Sequence, residues 1–212
     1  MSDKYGRIMY IDEILKLLPF RVITHMTRVS RITNVLAQKV CCGDKDSCYS
    51  DKFESLYFGD AAFYHDIGKS YIPMSVLAKS GRFSKNEFEL MKKHTNCAQV
   101  IFHDINRGSI VGMPEHLILL ARDAAVFHHE CWDGNGYPYG ISREDIPLVA
   151  RITSVCDAYD AITNDRIYRT ARTHREACDE LKACSGTQFD PEIVDAFLKN
   201  EKEISCIVNY CV

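Results

Sequence analysis

Apolar residues recur every three or four positions along much of the chain, which is the period of a helix with one buried face. Near the N-terminus this row comprises Ile11, Leu15, Leu18, Val22, Val29, Ile32 and Leu36. Pro19 interrupts the row, so the segment is either two helices or one kinked helix. A histidine, His25, fills the gap in the row between Val22 and Val29.

Helix start and stop signals extend this pattern through the rest of the chain. Ser84 and Glu87 form a capping box, Gly68 is a helix stop signal, and Pro147 suits a first helical turn. The predicted helices cover roughly 53–66, 84–102, 115–129, 147–163 and a last long one capped by Asp190 and Pro191. Residues 41–52 and 133–146 are predicted loops, and the tail 204–212 is the one candidate strand. The pattern is therefore helical nearly throughout.

Composition narrows the class of protein. The 212 residues carry a net charge of −3, which argues against a general nucleic-acid binder. The length suits one domain over 1–212. We expect a cytoplasmic location, because no apolar run approaches the ~20 residues of a membrane span and no signal peptide is present. None of the ten cysteines forms a CxxC pair, so buried or free thiols are expected. A metal chelate by Cys41, Cys42 and Cys48 is the less favoured alternative.

Histidines carry the candidate chemistry. His25, His94 and His128 lie on apolar helix faces, where burial is costly unless each imidazole has a partner. A metal cluster would supply all of these partners at once. His65 and Asp66 form an adjacent imidazole–carboxylate pair at a predicted helix end. His129, next to His128, can also reach a metal there. His103, His116 and His174 belong to no motif and are expected to be structural or solvent-facing.

The aspartates extend this candidate ligand set. Asp157 shares a helix face with small residues and Asp160, although a solvent-facing acid is the simpler interpretation. Imidazole and carboxylate ligands suit iron, manganese, nickel or zinc. The candidates exceed the needs of one ion, so we expect two metals bridged by Asp66, with a bridging hydroxide that attacks phosphorus in line. Lys69 would hold a phosphate oxygen, unless it is only a solvated lysine at a helix C-terminus.

Three strings join these residues into one pattern: HDIGK at 65–69, HHECWDGNGYP at 128–138 and IPLVARITSVCDAYDAITNDRIYR at 146–169. In this order they make the chain resemble the HD-GYP family, the bacterial cyclic di-GMP phosphodiesterases among the HD metal-dependent phosphohydrolases. The resemblance spans about residues 10–200. It implies an all-α fold: a single HD-type helical bundle with the GYP loop and C-terminal helices, and without a separate sensor or receiver domain.

The resemblance also implies a role for each matching residue. The implied metal ligands are His25, His65, Asp66, His94, His128, His129 and Asp157. Lys69 would contact the scissile phosphate, and Arg166 and Arg169 would bind the substrate, although a solvated basic patch with Arg172 and Arg175 is an alternative. The GYP loop consists of Gly134, Gly136, Tyr137 and Pro138. Its aromatic residue is expected to be exposed and to bind partners such as GGDEF-domain proteins, unless the loop is only a packed turn.

One position departs from the family pattern. Three-metal members carry a glutamate one turn before the first histidine, and here that residue is Arg21. We therefore expect two ions, with iron or manganese favoured over zinc or nickel. The expected reaction is hydrolysis of cyclic di-GMP to pGpG, and the departure at Arg21 argues against efficient further hydrolysis to GMP. Alternatives are a phosphodiesterase for 3′,3′-cGAMP or a catalytically weak dinucleotide-binding or protein-binding module. A generic HD nucleotide phosphohydrolase would not need the GYP loop.

Overall fold

The computed structural model describes residues 8–42, 54–165 and 170–209. Two short strands are β1 (Met9–Tyr10) and β2 (Ile110–Val111). The helices are α1 (Ile11–Leu15), α2 (Phe20–Cys42), α3 (Phe58–Phe63), α4 (Met74–Leu77), α5 (Lys85–Lys92), α6 (His94–Asn106), α7 (Glu115–Phe127), α8 (Leu148–Thr163), α9 (His174–Ala183), α10 (Pro191–Lys199) and α11 (Glu201–Asn209). Short 3-10 helices cover Glu54–Tyr57, Ile67–Tyr71 and Arg143–Asp145. The fold is all-α apart from the strand pair.

The long helix α2 lies at the centre of the bundle. It packs against α3 and α8 and also contacts the C-terminal helices α10 and α11. The predicted apolar face is confirmed, because Val29, Ile32 and Leu36 are completely buried. Helix α7 closes the other side of α3 and contacts α6 and α8. The helices that supply the candidate ligands therefore share one core.

Helix boundaries differ from the predicted ones where the chain forms the site. The Pro19 segment is two helices, α1 and α2, which confirms the first of the two predicted alternatives, whereas two other boundaries differ. The predicted helix over 53–66 is only a 3-10 turn followed by α3, which ends at Phe63. The predicted helix over 84–102 keeps its capping box but breaks at Lys93, so that His94 begins a new helix. These breaks set the direction of the side chains that follow them.

The C-terminal region also differs from the prediction. Residues 204–209 of the predicted strand belong to helix α11, which buries Ile204 completely in the main core, and residues 210–212 lie outside the described residues. A helix over His174–Ala183 was not predicted, although Thr173 and Glu176 form a capping box there. At the other end of the chain, β1 pairs in parallel with β2.

The cysteine prediction is correct in part. The described cysteines 41, 97, 131, 156, 178, 184 and 206 are free thiols. Cys41 is buried at the end of α2, which contradicts its assignment to a polar loop. Cys48 lies outside the described residues. Within 8–42, 54–165 and 170–209, the structure contains no helix with the length and apolar character of a membrane span.

A buried ion pair joins α8 to the start of α10, and it predicts a stability effect. Asp190 accepts hydrogen bonds from Arg151 Nη1 at 2.6 Å and from the Glu192 amide at 2.9 Å, and it is 3% exposed. Asp190→Ala should lower the free energy of unfolding by about 3–5 kcal/mol, because it removes a helix cap and one partner of a buried pair. Urea denaturation measures this change.

Asp195→Ala is the matched control on the same helix. Its carboxylate forms an exposed pair with Lys199, so the expected change is within about 0.5 kcal/mol. Equal effects of the two substitutions would contradict this account of the α8–α10 junction.

Candidate metal centre

Seven side chains converge at the centre of the bundle, and they are the seven that the sequence predicted as ligands. His25 comes from the second turn of α2, and His65 and Asp66 follow the end of α3. His94 begins α6, His128 and His129 follow the end of α7, and Asp157 projects from α8. Three overlapping groups have ligand atoms within 4.8 Å of one another: His25, His65 and Asp157; His94, His128 and His129; and His65, Asp66 and His128.

Three of the imidazoles are oriented by backbone carbonyls. The Nδ1–H groups of His65, His94 and His128 donate to the carbonyl oxygens of Ala62, Met91 and Ala124 at 2.8, 2.7 and 2.9 Å. A carbonyl accepts only, so the proton lies on Nδ1 and each Nε2 presents a lone pair. This second hydrogen bond is typical of metal-ligating histidines.

The Nε2 atoms of different histidines face one another. His25 Nε2 is 3.3 Å from His65 Nε2, and His94 Nε2 is 3.5 Å from His128 Nε2. His65, His94 and His128 are at most 1% exposed, so water cannot satisfy these nitrogens from outside. Converging lone pairs repel unless a cation or proton lies between them. The donor set therefore fits divalent metals that prefer imidazole and carboxylate ligands.

Asp66 lies between the two groups. Its Oδ2 is 3.4 Å from His65 Nε2 and 3.6 Å from His25 Nε2, whereas its Oδ1 is 3.6 Å from His94 Nε2. Lys69 forms an ion pair with Oδ2. One carboxylate oxygen thus faces each histidine group, which is the arrangement of a carboxylate that could bridge two ions.

The pKa shifts of Asp66, His94 and His129 favour the charge states in which these residues can bind cations. Burial would raise the pKa of Asp66, but Lys69, His65 and His94 outweigh it and hold the pKa well below its usual value. Burial lowers the pKa of His94 to about 4 and that of His129 to about 3. These imidazoles are neutral at pH 7, the form that binds metal.

Asp160 is a residue of the site to which the sequence analysis gave no role. Its Oδ2 lies 2.6 Å from His25 Nδ1, and Arg28 donates to both of its oxygens at 2.6 and 2.9 Å. This contact turns His25 Nε2 toward Asp157 Oδ1, 3.0 Å away. Asp160 lies three residues after Asp157, and Arg28 three after His25, so helical spacing was the available signal.

The GYP loop packs onto the centre. The Tyr137 ring stacks on His129 with a centroid distance of 4.8 Å and an interplanar angle of 21°. The prediction that this aromatic residue is exposed is wrong, since Tyr137 is partly buried, while Tyr139 is 51% exposed. Glu130 anchors the loop by accepting from the amides of Tyr139 and Gly140 at 2.7 and 3.0 Å.

Two glycines permit close backbone contacts that the site requires. A Cβ at Gly68 would lie 1.9 Å from the His94 carbonyl oxygen, and a Cβ at Gly136 would lie 2.2 Å from the Cys131 amide nitrogen. Gly68 does not end a helix as predicted, because it lies inside the 3-10 helix Ile67–Tyr71. Its function is to let α6 approach Asp66.

A cleft of about 240 Å³ opens beside His25. Its lining includes the basic residues Arg21, Arg28, Lys69 and Lys79, the acidic residues Asp160 and Asp165, and apolar surface from Phe83 and Met91. Such a cleft suits an anionic ligand with flat apolar groups. The predicted substrate residues Arg166 and Arg169 lie outside the described residues.

The fold and this centre define a helical protein with a His/Asp cluster that could hold metal ions, and the chain belongs to the HD domain family, whose model matches residues 11–193. A cyclic di-GMP phosphodiesterase of Thermotoga maritima is 40% identical, over 68% of this chain and 37% of that protein. A Vibrio cholerae protein named 3′3′-cGAMP-specific phosphodiesterase 2 is 30% identical, over 93% of this chain and 37% of that protein. The chain thus spans less than half of these relatives.

A solved structure shares the fold. Bd1817, an HDG"Y"P protein from Bdellovibrio bacteriovorus, aligns with a TM-score of 0.59 and 20% identity, over 84% of this chain and 51% of that one. These findings confirm the resemblance to HD-GYP proteins that the sequence motifs indicated.

The Gly68 contact predicts a local effect on metal binding. Gly68→Ala should displace His94 and reduce bound metal by about one ion per chain, because the added Cβ overlaps the His94 carbonyl. Metal analysis after loading with manganese measures this loss. Gly81→Ala is the control, since its Cβ would meet no atom within 4 Å. Full metal content in Gly68→Ala would show that this approach is not required.

Proposed function

We propose that this chain is a metal-dependent phosphodiesterase that hydrolyses cyclic di-GMP, with pGpG as the main product. The observation that carries the proposal is the convergence of the His25, His65 and His94 Nε2 atoms on the buried Asp66 carboxylate, beside a cleft lined by arginine and lysine. The name of the Thermotoga maritima relative supports the choice of substrate.

Two divalent ions, iron or manganese before zinc or nickel, would occupy the centre. His25, His65 and Asp157 would hold one ion, His94, His128 and His129 the other, and Asp66 both. Such ions supply a nucleophile from water at neutral pH and neutralise charge on phosphoryl oxygens. No side chain then needs to act as a nucleophile.

The chain's own residues bind and orient the substrate. Lys69, at the cleft, would turn its ammonium from Asp66 toward an oxygen of the scissile phosphate. Arg21 lines the same cleft one helical turn before His25, where it can contact the second phosphate. Arg166 and Arg169 are proposed to bind the remaining phosphate or guanine. Asp160 holds His25 in its metal-binding orientation.

A second candidate substrate is 3′,3′-cGAMP, favoured by the name of the Vibrio cholerae relative. Hydrolysis rates of both dinucleotides, measured side by side, decide between them. Gly134, Gly136, Tyr137 and Pro138 would present Tyr139 to a protein partner such as a GGDEF domain. We propose a cytoplasmic location, where cyclic dinucleotides act as signals.

Removing the shared ligand tests the enzyme proposal. Asp66→Ala should lower cyclic di-GMP turnover by about a thousandfold or more, because several kcal/mol of transition-state stabilisation depend on both ions. The protein is purified without oxygen, loaded with iron or manganese, and assayed by chromatography. Asp195→Ala, which changes an exposed carboxylate on α10, is the control and should keep full activity.

Two results would contradict the proposal. Turnover retained in Asp66→Ala would exclude the shared-ligand mechanism. Absence of turnover in the parent protein with both metal positions filled would favour the binding-module alternative, which a cyclic di-GMP binding measurement then tests.

The position of Arg21 predicts a binding effect. Arg21→Ala should raise KM for cyclic di-GMP about tenfold and leave kcat within about twofold, since a charged hydrogen bond contributes about 1.5 kcal/mol or more. Arg21→Lys should recover part of the loss. Arg107→Ala, at the exposed end of α6, is the matched control. An unchanged KM in Arg21→Ala would remove Arg21 from the substrate site.

A further inference from the structure

A second group of metal-ligating side chains lies apart from the centre around Asp66. His174 and Cys178 are one helical turn apart on α9, and Glu201 begins α11. One ligand atom from each lies within 4.8 Å of the other two. The proposed phosphodiesterase reaction uses none of them. We propose that His174, Cys178 and Glu201 form a second metal site that binds one zinc ion.

The three side chains lie within reach of one zinc ion, after small rotations of the Cys178 and Glu201 side chains. Ligands at about 2.0 Å (nitrogen) and 2.3 Å (sulfur) from zinc lie about 3.5 Å apart. Cys178 Sγ is 3.6 Å from His174 Nε2 but also 3.8 Å from Nδ1, so the thiol lies against the ring and zinc binding requires a rotation about the Cys178 Cα–Cβ bond. His174 Nε2 and Glu201 Oε2 are 3.9 Å apart, against about 3.3 Å for nitrogen and oxygen ligands. A rotation of the Glu201 side chain is sufficient to close this difference.

Tyr159 orients the histidine of this group. The Tyr159 hydroxyl lies 2.8 Å from His174 Nδ1, and Tyr159 is 1% exposed and therefore held firmly by the core. With Nδ1–H donating to this oxygen, Nε2 is the nitrogen left to bind metal. A buried partner on the second ring nitrogen is the usual support of a zinc-binding histidine.

The surroundings leave an entrance for the ion. Cys178 is 6% exposed, but the side chains of His174 and Glu201 are 34% and 40% exposed. The open side provides a path for the ion and a fourth position for water. One thiolate with an imidazole and a carboxylate favours zinc over magnesium or calcium, which prefer oxygen ligands alone.

Bound zinc would tie α11 to α9. Through Tyr159 the site also reaches α8, the helix that carries Asp157 and Asp160. Zinc binding would therefore stabilise the packing of α9 and α11 on α8, the helix that carries part of the metal centre.

Cobalt distinguishes the two sites, because the centre around Asp66 contains no thiolate. The purified chain is titrated with Co²⁺, and the sulfur-to-cobalt charge-transfer band in the near ultraviolet is followed. We expect the band in the parent protein and its loss in Cys178→Ser. The visible bands from the imidazole–carboxylate centre should remain in that variant. Cys206→Ser, which changes an exposed thiol on α11, should keep the charge-transfer band.

Zinc competition with a chromophoric chelator gives the affinity. Cys178→Ser and His174→Gln should each lower the affinity for one zinc ion per chain by more than about a hundredfold, and Glu201→Gln should lower it by about tenfold. His174 is partly exposed, so its variant remains informative if Cys178→Ser fails to fold, which circular dichroism shows. A band that persists in Cys178→Ser, or never forms in the parent protein, would overturn the site. Neither result depends on phosphodiesterase activity.

Discussion

The buried carboxylate of Asp66 is the constraint on which the rest of the centre depends. An isolated carboxylate at 1% exposure would cost several kcal/mol, so it needs positive charge on every open side. Lys69 supplies it from the cleft, and the Nε2 lone pairs of His65 and His94 face the remaining sides, where a bound cation would complete the compensation. The close approach of α6 at Gly68 places His94 Nε2 beside the second carboxylate oxygen, where the two atoms could share a cation.

Helix ends provide the orientation of the ligands. The last carbonyls of a helix have no partner within it. Those of α3, α5 and α7 accept the Nδ1 protons of His65, His94 and His128, so each helix terminus turns an Nε2 atom inward. His25 lies inside α2, where the carbonyls are already bonded, and it uses the Asp160 carboxylate of α8 instead. The short helices are thus part of the metal centre.

The loop after α7 links the centre to the surface. Tyr137 covers His129, while Glu130 binds the loop backbone and leaves Tyr139 in solvent. Gly136 permits this packing because its Cα lies against the backbone of Glu130 and Cys131. Any partner that moves the loop would therefore act directly on a ring that contacts a predicted ligand.

The sequence by itself determined the helical character, the buried face of α2 and the seven candidate ligands, because periodicity and ligand chemistry are local properties. Tertiary structure decided where helices break, since α3 ends at Phe63 and α5 ends before Lys93 inside segments whose patterns predicted continuous helices. It also decided the partner of His25, 135 residues away at Asp160, and the meeting of His174 with Glu201. Such pairings depend on how helices pack against one another, and no spacing within a single helix encodes them.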